Sequence, residues 1–273
     1  MDENSPLYHY TNVGVLALIL KNRSIRFNSL DRMDDLQEQM TADVKNIGQF
    51  CYISAWTDDK EESIPMWNMY ASLKSGVRIS LKRNPFKVYE NHPDELMRET
   101  GMPVQGDTGA GLKSIIPIAD MFNKKFMSIQ AMSMELLHKV EYTNDPDKLY
   151  PKLVSTDDKN TSVKMGELGK YKNLHWSFQR EWRYIMLAFP LNLKQDPELS
   201  MKEFQMFVYD VVQGTAKQPF PYYDFVIDDE AFREMTITLS PCLSEGNRVI
   251  VHDLVEKYNP TARIIESTLK DLL

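Results

Sequence analysis

Short segments in which apolar and polar residues alternate recur near both ends of the 273-residue chain, and helical patterns separate only some of them. Ser24 to Ser29 is one such segment, with Ile25 and Phe27 on one face, as is typical of a half-buried strand. Further strands are predicted at Leu7 to Thr11, Phe50 to Trp56, Val77 to Leu81, Phe178 to Leu187, Thr236 to Ser240 and Ala262 to Ser267. Because strands and helices do not alternate strictly, the sequence favours an α+β fold with a mixed sheet.

Helices are predicted where apolar residues recur three and four positions apart. One follows Thr11 or Asn12, either of which can cap it, and a short one over Pro65 to Ala71 begins at Ser63. Another is capped by Ser244, and its predicted buried face consists of Val249, Ile250, Leu254 and Val255.

The stretch from Arg83 to Lys170 is interpreted as a partly helical insertion in a single domain that spans residues 1–273. Its glycine-rich segment, Glu95 to Leu112, is expected to be mobile and to lie near the mouth of a cleft. A methionine-rich helix is predicted from about Ile118 to Val140. Its apolar stripe, interpreted as core, consists of Met121, Phe122, Phe126, Ile129 and Leu136.

Composition and charge exclude several classes of protein. The net charge of −7 and the pI near 5.4 argue against a broad nucleic-acid-binding surface. No apolar run approaches the roughly 20 residues that a membrane helix needs, and the acidic start Met1 to Asn4 is unlike a secretory signal. Cys51 and Cys242 are expected to be free buried thiols. These features predict a cytoplasmic protein without a membrane anchor.

The common catalytic motifs are missing from the sequence. The five histidines show neither HxxxH nor HxH spacing, so no metal site is predicted. There is no GxSxG elbow of a serine hydrolase and no GxxxxGK[ST] phosphate-binding loop. The chemistry must therefore be sought in less specific places, of which the sequence offers three.

The first is His9, on a strand that leads directly into a helix N-terminus. Backbone N–H groups point outward there, which favours a ligand. A core histidine that hydrogen-bonds to a neighbouring strand explains the residue equally well. The second is the pair Trp67 and Tyr70, which share a helix face and can clamp a flat ring. Packing in the core is the alternative for both aromatic residues.

The third place is the segment Gln179 to Tyr184. In a strand, Gln179, Glu181 and Arg183 point to one side, which sets a carboxylate beside a guanidinium and an amide. A buried carboxylate of this kind can stabilise positive charge on a sugar carbon, as in glycoside cleavage. A structural ion pair between Glu181 and Arg183 is the alternative.

Several of these segments together resemble a bacterial family called domain of unknown function 2971. The resemblance rests on Leu7 to Thr11, Ile19-Leu20, Ile25 to Phe27, Met66-Trp67, Tyr70, Gly76-Val77, Lys172, Trp176, Glu181 to Arg183, Leu239 to Pro241 and Ile264 to Ser267. It covers both ends of the chain and fades between Arg83 and Lys170. Two positions depart from the family pattern. Met33 to Asp35 replaces Asn-Asp-Pro, and Gln179 stands where an acidic residue is common.

The order of these motifs is also similar to the His–Tyr–Glu arrangement of ADP-ribosyltransferases. There a histidine holds a ribose of NAD, a tyrosine stacks on the nicotinamide and a glutamate orients the nicotinamide ribose. The resemblance implies these roles for His9, Tyr70 and Glu181. It also implies a split central sheet with flanking helices, NAD as the substrate and no metal. The remaining residues expected at the NAD site are Tyr10, Thr11 and Trp67, with Arg26 or Arg183 at the pyrophosphate.

The favoured hypothesis is therefore cleavage of the nicotinamide glycosidic bond, with transfer of ADP-ribose to water or to an unknown protein or nucleic acid. A non-catalytic module that binds a nucleotide or a partner protein, in phage defence, is the alternative. A metal-dependent nuclease is disfavoured because no carboxylate cluster or basic surface is evident. If the transferase hypothesis holds, His9 and Glu181 must meet in one cleft built from both ends of the chain.

Overall fold

A computed structural model of the protein describes residues 5–92, 112–133, 135–156, 161–192 and 197–273. The strands in this part of the chain are β1 Leu7–Asn12, β2 Ser24–Ser29, β3 Cys51–Thr57, β4 Gly76–Leu81, β5 Tyr89–Asn91, β6 Leu112–Ser114, β7 Met127–Ser128, β8 Leu137–Lys139, β9 Glu141–Thr143, β10 Val154–Thr156, β11 Thr161–Val163, β12 Tyr171–Asn173, β13 Glu181–Phe189, β14 Tyr222–Val226, β15 Thr236–Leu239 and β16 Arg263–Ile265. The helices are α1 Val13–Asn22, α2 Ile64–Met66, α3 Ile118–Asn123, α4 Gln130–Ser133, α5 Pro146–Leu149, α6 Pro197–Gln213, α7 Asp229–Arg233 and α8 Glu245–Tyr258. Helix α2 continues as a π-helical turn over Trp67–Ala71, and 3-10 turns lie at Leu30–Arg32, Ile47–Phe50 and Leu174–Gln179.

One large sheet organises the fold. Its strands follow the order β14-β2-β3-β1-β4-β15-β16, and β13 adds to β3 together with β7 and β8. The described neighbours in this sheet are antiparallel except β15 and β16, which run parallel. The mixed α+β class is therefore confirmed. Among the described helices, none is long and apolar enough to span a membrane.

The sheet divides on one side of β3. Strand β13 pairs with β3 along its whole length, from Cys51 to Thr57. On the other edge, β2 meets β3 at Tyr52 and Ile53, whereas β1 meets it at Thr57 alone. Strands β1 and β2 thus diverge from each other, and the edge of β3 around Ala55 is left open between them.

Helix α1 connects the two diverging strands. The Asn12 side chain caps its first turn by accepting a hydrogen bond from the Val15 N–H at 3.0 Å, as predicted. Arg23 ends the helix in the left-handed conformation, with φ of 52°, and β2 begins at the next residue. This short β1–α1–β2 connection sets His9 at the opening between the two strands.

Side chains alternate between two hydrophobic clusters along the central strands, as the period of two requires. On β13, Tyr184 and Met186 enter the larger cluster, whereas Ile185 and Leu187 enter the smaller one on the opposite face. Glu181 and Arg183 have the same parity as Ile185, so the predicted separation from Trp182 and Tyr184 is confirmed. The strand begins at Glu181 rather than at Phe178 because Leu174–Gln179 forms a 3-10 turn.

The prediction of one long helix from about Ile118 to Val140 is wrong. The described residues of this segment are helical only in α3 and α4, and Lys125 in the left-handed conformation, with φ of 54°, separates them. Strands β7 and β8 instead extend the main sheet by pairing with β13. Of the predicted core stripe, Ile129 is 63% exposed, while the other four residues are buried. The segment Glu95 to Leu112, predicted to be mobile, lies outside the described residues except for Leu112.

The last helix has the predicted cap but a different buried face. The Ser244 hydroxyl accepts the Asn247 N–H, which confirms the cap. Val251 and Val255 are the buried residues, whereas Val249 and Ile250 are largely exposed. The face is set by packing of α8 against α1. Helix α6 and strand β14, which the sequence analysis did not predict, complete the fold. Both cysteines are free, but only Cys51 is buried.

Candidate functional site

A cavity of about 100 Å³ lies at the N-terminal end of β13, beside β1 and β3. Its lining residues come from widely separated parts of the chain: Tyr8, His9, Tyr10, Met33, Asp34, Asp35, Ala55, Trp56, Met66, Tyr70, Lys172, Gln179, Glu181 and Arg183. The cavity is smaller than the apolar cavity of about 150 Å³ that holds a benzene molecule, so it can enclose only part of a substituted six-membered ring. The structure brings His9, Tyr70 and Glu181 together around it.

A larger groove of about 440 Å³ continues from the cavity into the opening between β1 and β2. The two spaces share six lining residues: His9, Tyr10, Met33, Asp34, Ala55 and Tyr70. Arg26 and Arg32 also line the groove. Pockets for drug-sized ligands span about 300–1,000 Å³, so the groove is large enough for a ligand that the small cavity could not enclose.

His9 bridges the divided sheet. Its Nδ1 donates to the Ala55 carbonyl oxygen at 2.7 Å, and its ring packs on Trp56 with centroids 5.1 Å apart. Burial lowers the pKa of His9, and the bond to Ala55 opposes this effect, so the imidazole is neutral at pH 7. In that tautomer Nε2 is an acceptor. The hydrogen bond to a neighbouring strand, expected of a core histidine, is therefore confirmed. The ring also lines the cavity, so its interaction with a ligand stays a prediction.

Tyr70 reaches the cavity from the π-helical turn. Such turns occur often at functional sites, because they displace side chains from the ordinary helical positions. The Tyr70 hydroxyl accepts a hydrogen bond from Nε2 of Gln179. Burial, together with the negative charges of Asp34 and Glu181, raises the pKa of Tyr70, so its phenol stays protonated.

Trp67 does not line the cavity, which corrects the predicted stacking pair. Its side chain is fully buried and packs edge-on against Tyr10, with ring centroids 4.9 Å apart. Its indole N–H donates to Oε2 of Glu62 at 2.9 Å. In a regular helix, side chains three residues apart point in similar directions, but the π-helical turn changes this angle. Trp67 therefore packs on Tyr10, whereas Tyr70 points into the cavity.

Glu181 belongs to a buried ring of alternating charges. Oε1 and Oε2 of Glu181 accept from Nε and Nη2 of Arg183 at 2.6 and 3.1 Å. Lys172 lies 3.1 Å from Oε2 of Glu181 and 3.0 Å from Oε1 of Glu38. Arg183 closes the ring through Nη1, which is 2.7 Å from Oε2 of Glu38. All four side chains are at least nine-tenths buried.

This network keeps Glu181 ionised. Burial favours its neutral form, but the charges of Arg183 and Lys172 outweigh burial and lower the pKa of Glu181. A carboxylate offers about four acceptor positions, and Arg183 and Lys172 occupy all but one, so a position on Oε1 remains for a ligand. Arg183 has both carboxylates and the Gly169 carbonyl as partners, which leaves it unsuited to the pyrophosphate role considered for it.

Arg26 is also engaged elsewhere. Its Nε and Nη2 donate to Asp224 at 2.8 and 2.9 Å, and its guanidinium lies 3.5 Å from the centroid of the Tyr222 ring. Arg26 lines the groove, as its predicted role requires, but a pyrophosphate there would compete with Asp224 for its guanidinium, so this role stays a prediction. Arg32 is exposed, lines the same groove and has no ion-pair partner among the described residues. Sequence reasoning missed it, because the 3-10 turn that carries Arg32 has no recognisable pattern.

Tyr10 and Thr11 occupy less direct positions. Tyr10 borders both spaces, but its hydroxyl accepts the Ser63 N–H at 3.1 Å and so anchors the start of α2. Thr11 lines only the groove and is 5% exposed. Among the described residues, no group of histidine, cysteine or acidic side chains could hold a metal.

One comparison with known proteins gave a match. A family model described as "Protein of unknown function (DUF2971)" matches residues 66–184. This range contains Tyr70, Lys172, Gln179, Glu181 and Arg183 but not His9. No curated protein and no solved structure matches the chain. The match supports the resemblance to this family of unknown function. It covers six of the fourteen residues that line the cavity, and it includes the stretch from Arg83 to Lys170, where the resemblance was expected to fade, rather than the two ends of the chain.

Proposed function

We propose that the protein cleaves the bond between nicotinamide and ribose in NAD and transfers ADP-ribose to water or another acceptor. One observation carries the proposal. His9, Tyr70 and Glu181 are far apart in the chain, yet all three line one small cavity that continues into a larger groove. A dinucleotide needs such an arrangement, with a small recess for the ring and room for the remainder.

The charge of the cavity supports a substrate that is cationic at one end. Three carboxylates, of Asp34, Asp35 and Glu181, line it together with the two cations of Lys172 and Arg183. The balance is one negative charge. The nicotinamide ring of NAD is positively charged, and cleavage transfers that charge to the ribose carbon in an oxocarbenium-like transition state. A fixed negative charge stabilises both.

Each of the three residues has a role that its surroundings permit. Glu181 accepts a hydrogen bond from a ribose hydroxyl at the remaining position on Oε1 and stabilises the developing cation. Its low basicity makes it an electrostatic group rather than a general base. Neutral His9 accepts a second ribose hydroxyl at Nε2, and the Tyr70 ring stacks on the nicotinamide.

The bonds and charges balance without any cofactor. The bond between the ribose carbon and the ring nitrogen breaks, and its electron pair leaves with neutral nicotinamide. Water or an acceptor adds to the ribose carbon and releases one proton to solvent. In the groove, Arg32 offers a charge for the pyrophosphate, because its guanidinium is exposed and has no ion-pair partner in the described part of the chain.

The test is release of nicotinamide from NAD by the purified protein, with and without a chelator. We expect release that the chelator does not affect. Glu181→Gln should lower the rate by about 100- to 1,000-fold, since one electrostatic contact to the transition state is lost. Glu38→Gln is the matched control, because Glu38 carries the same charge in the same network but does not line the cavity. Equal losses in both variants would assign the effect to the network rather than to catalysis.

A non-catalytic module that binds NAD or another nucleotide is the second candidate. The observation that favours it is the engagement of both Glu181 oxygens by Arg183 and Lys172. NAD that raises the melting temperature but is never cleaved, with any acceptor tried, would support this candidate over the enzyme.

A further inference from the structure

Two buried acceptor atoms at the cavity have no hydrogen-bond partner in the described part of the chain. Gln179 is 3% exposed, its Nε2 donates to the Tyr70 hydroxyl, and its Oε1 is unpaired. Asp35 is 8% exposed, and its Oδ1 accepts the Gln37 N–H at 3.0 Å while its Oδ2 is unpaired. Folded proteins pair nearly all such atoms. Two unpaired acceptors on side chains that line one cavity therefore require a partner from outside the described chain, either water or a ligand.

The chemistry of that partner follows from the atoms. An amide oxygen and a carboxylate oxygen both accept hydrogen bonds, so the ligand must bring N–H or O–H donors. The amide of a carboxamide group has two N–H donors and no charge. A carboxylate in the same place has no donor, and its charge would be repelled by Asp35.

We propose that Gln179 and Asp35 recognise the carboxamide of a nicotinamide ring, and that they thereby select NAD over the analogue that carries nicotinic acid. The inference rests on the proposed function, because it assigns the nicotinamide end of NAD to the 100 Å³ cavity. Both side chains line that cavity, and Nε2 of Gln179 donates to the Tyr70 hydroxyl.

The experiment compares binding of NAD and nicotinic acid adenine dinucleotide by calorimetry at pH 7. We expect the nicotinic acid form to bind at least about 100-fold more weakly than NAD. Sites built from buried hydrogen-bonding groups can reject mismatched analogues by about 10,000-fold. Free nicotinamide and nicotinate, titrated by NMR, should show the same preference without the rest of the dinucleotide. Equal affinities, or no binding of either dinucleotide, would overturn the inference.

Variants separate a specific contact from a general effect of charge. In Asp35→Asn, the new amide can donate a hydrogen bond to a carboxylate. The ratio of the affinities for NAD and for nicotinic acid adenine dinucleotide should therefore fall by about tenfold or more. Asp34→Asn removes the same charge from an exposed neighbour, and it should narrow the preference much less. Equal narrowing in both would overturn the inference. Gln179→Met, which removes the amide at similar size, gives a second test, and thermal melting verifies that each variant folds.

The two proposals fail in different ways. Discrimination between the dinucleotides without any release of nicotinamide would overturn the proposed function and leave the recognition intact. Equal cleavage of both dinucleotides would overturn the recognition and leave the proposed function intact.

Discussion

The buried ring of charges predicts a large loss of stability when one carboxylate is neutralised. Glu181→Gln keeps the shape of the side chain but removes the charge that faces Arg183 and Lys172. Breaking a buried ion pair by changing one partner costs about 3–5 kcal/mol, because the other charge stays buried without compensation. Glu38 still contacts both cations, so we expect a loss near the lower limit, about 3 kcal/mol.

For a chain of this size, 1 kcal/mol shifts the melting temperature by about 2–4 °C. Glu181→Gln and Glu38→Gln should therefore each melt about 6–12 °C below the wild type. The double variant should lose more free energy of unfolding than the two single variants together, because neither cation then retains a carboxylate partner. The loss should persist in about 1 M NaCl, since salt screens buried charges poorly.

The assay is urea and thermal unfolding of the four proteins at pH 7, in low and high salt. Asp224→Asn serves as a surface comparison, because its ion pair with Arg26 is partly exposed and should contribute about 1 kcal/mol or less. A loss below about 1 kcal/mol for Glu181→Gln, or one that disappears in high salt, would refute a buried network.

Three further predictions concern other parts of the site. Burial lowers the pKa of His9, so the folded protein resists protonation, and its free energy of unfolding should fall as the pH drops below 6.5. In urea unfolding, His9→Gln should lose less of this free energy than the wild type between about pH 6.5 and 5. Ser72 has φ of 69° directly after the π-helical turn, so Ser72→Gly should raise stability by about 1 kcal/mol in thermal unfolding, and a lower melting temperature would contradict strain. Arg32→Ala should weaken NAD binding about tenfold or more by calorimetry, whereas Arg23→Ala, outside the groove, should not.

Local patterns predict the central strands of the sheet. In Ser24–Ser29 and in Glu181–Phe189, the side on which each residue lies follows from its parity, because both segments are regular strands over their whole length. The cap of α1 at Asn12 is likewise a local feature, since the side chain and the N–H that it accepts lie three residues apart. These parts of the fold therefore needed no knowledge of tertiary contacts.

The residue types and their order also indicate the three residues of the cavity that the resemblance implies. His9, Tyr70 and Glu181 lie around one cavity, as the hypothesis requires. The sequence could not show which neighbouring charges are already paired. Arg26 meets Asp224, and Arg183 meets Glu38, across long stretches of chain. Such partners depend on tertiary packing, so no local pattern reveals them.

The failed predictions have the same origin. The residues from Ile118 to Val140 have helical spacing, yet pairing of β7 and β8 with β13 prevails over that local preference. The last helix begins at the predicted cap, but its packing against α1 selects Val251 and Val255 as the buried face. The π-helical turn at Trp67–Ala71 likewise separates two aromatic residues that regular helical spacing would place together.

The most direct test of the central claim is a crystal structure of the Glu181→Gln variant soaked with NAD. The proposal predicts density for the nicotinamide ring in the cavity, between Tyr70 and the unpaired acceptors of Gln179 and Asp35. A ribose hydroxyl should lie within hydrogen-bonding distance of Nε2 of His9, with the remaining density in the groove between β1 and β2. Density for NAD elsewhere on the protein, or none at saturating NAD, would contradict the claim.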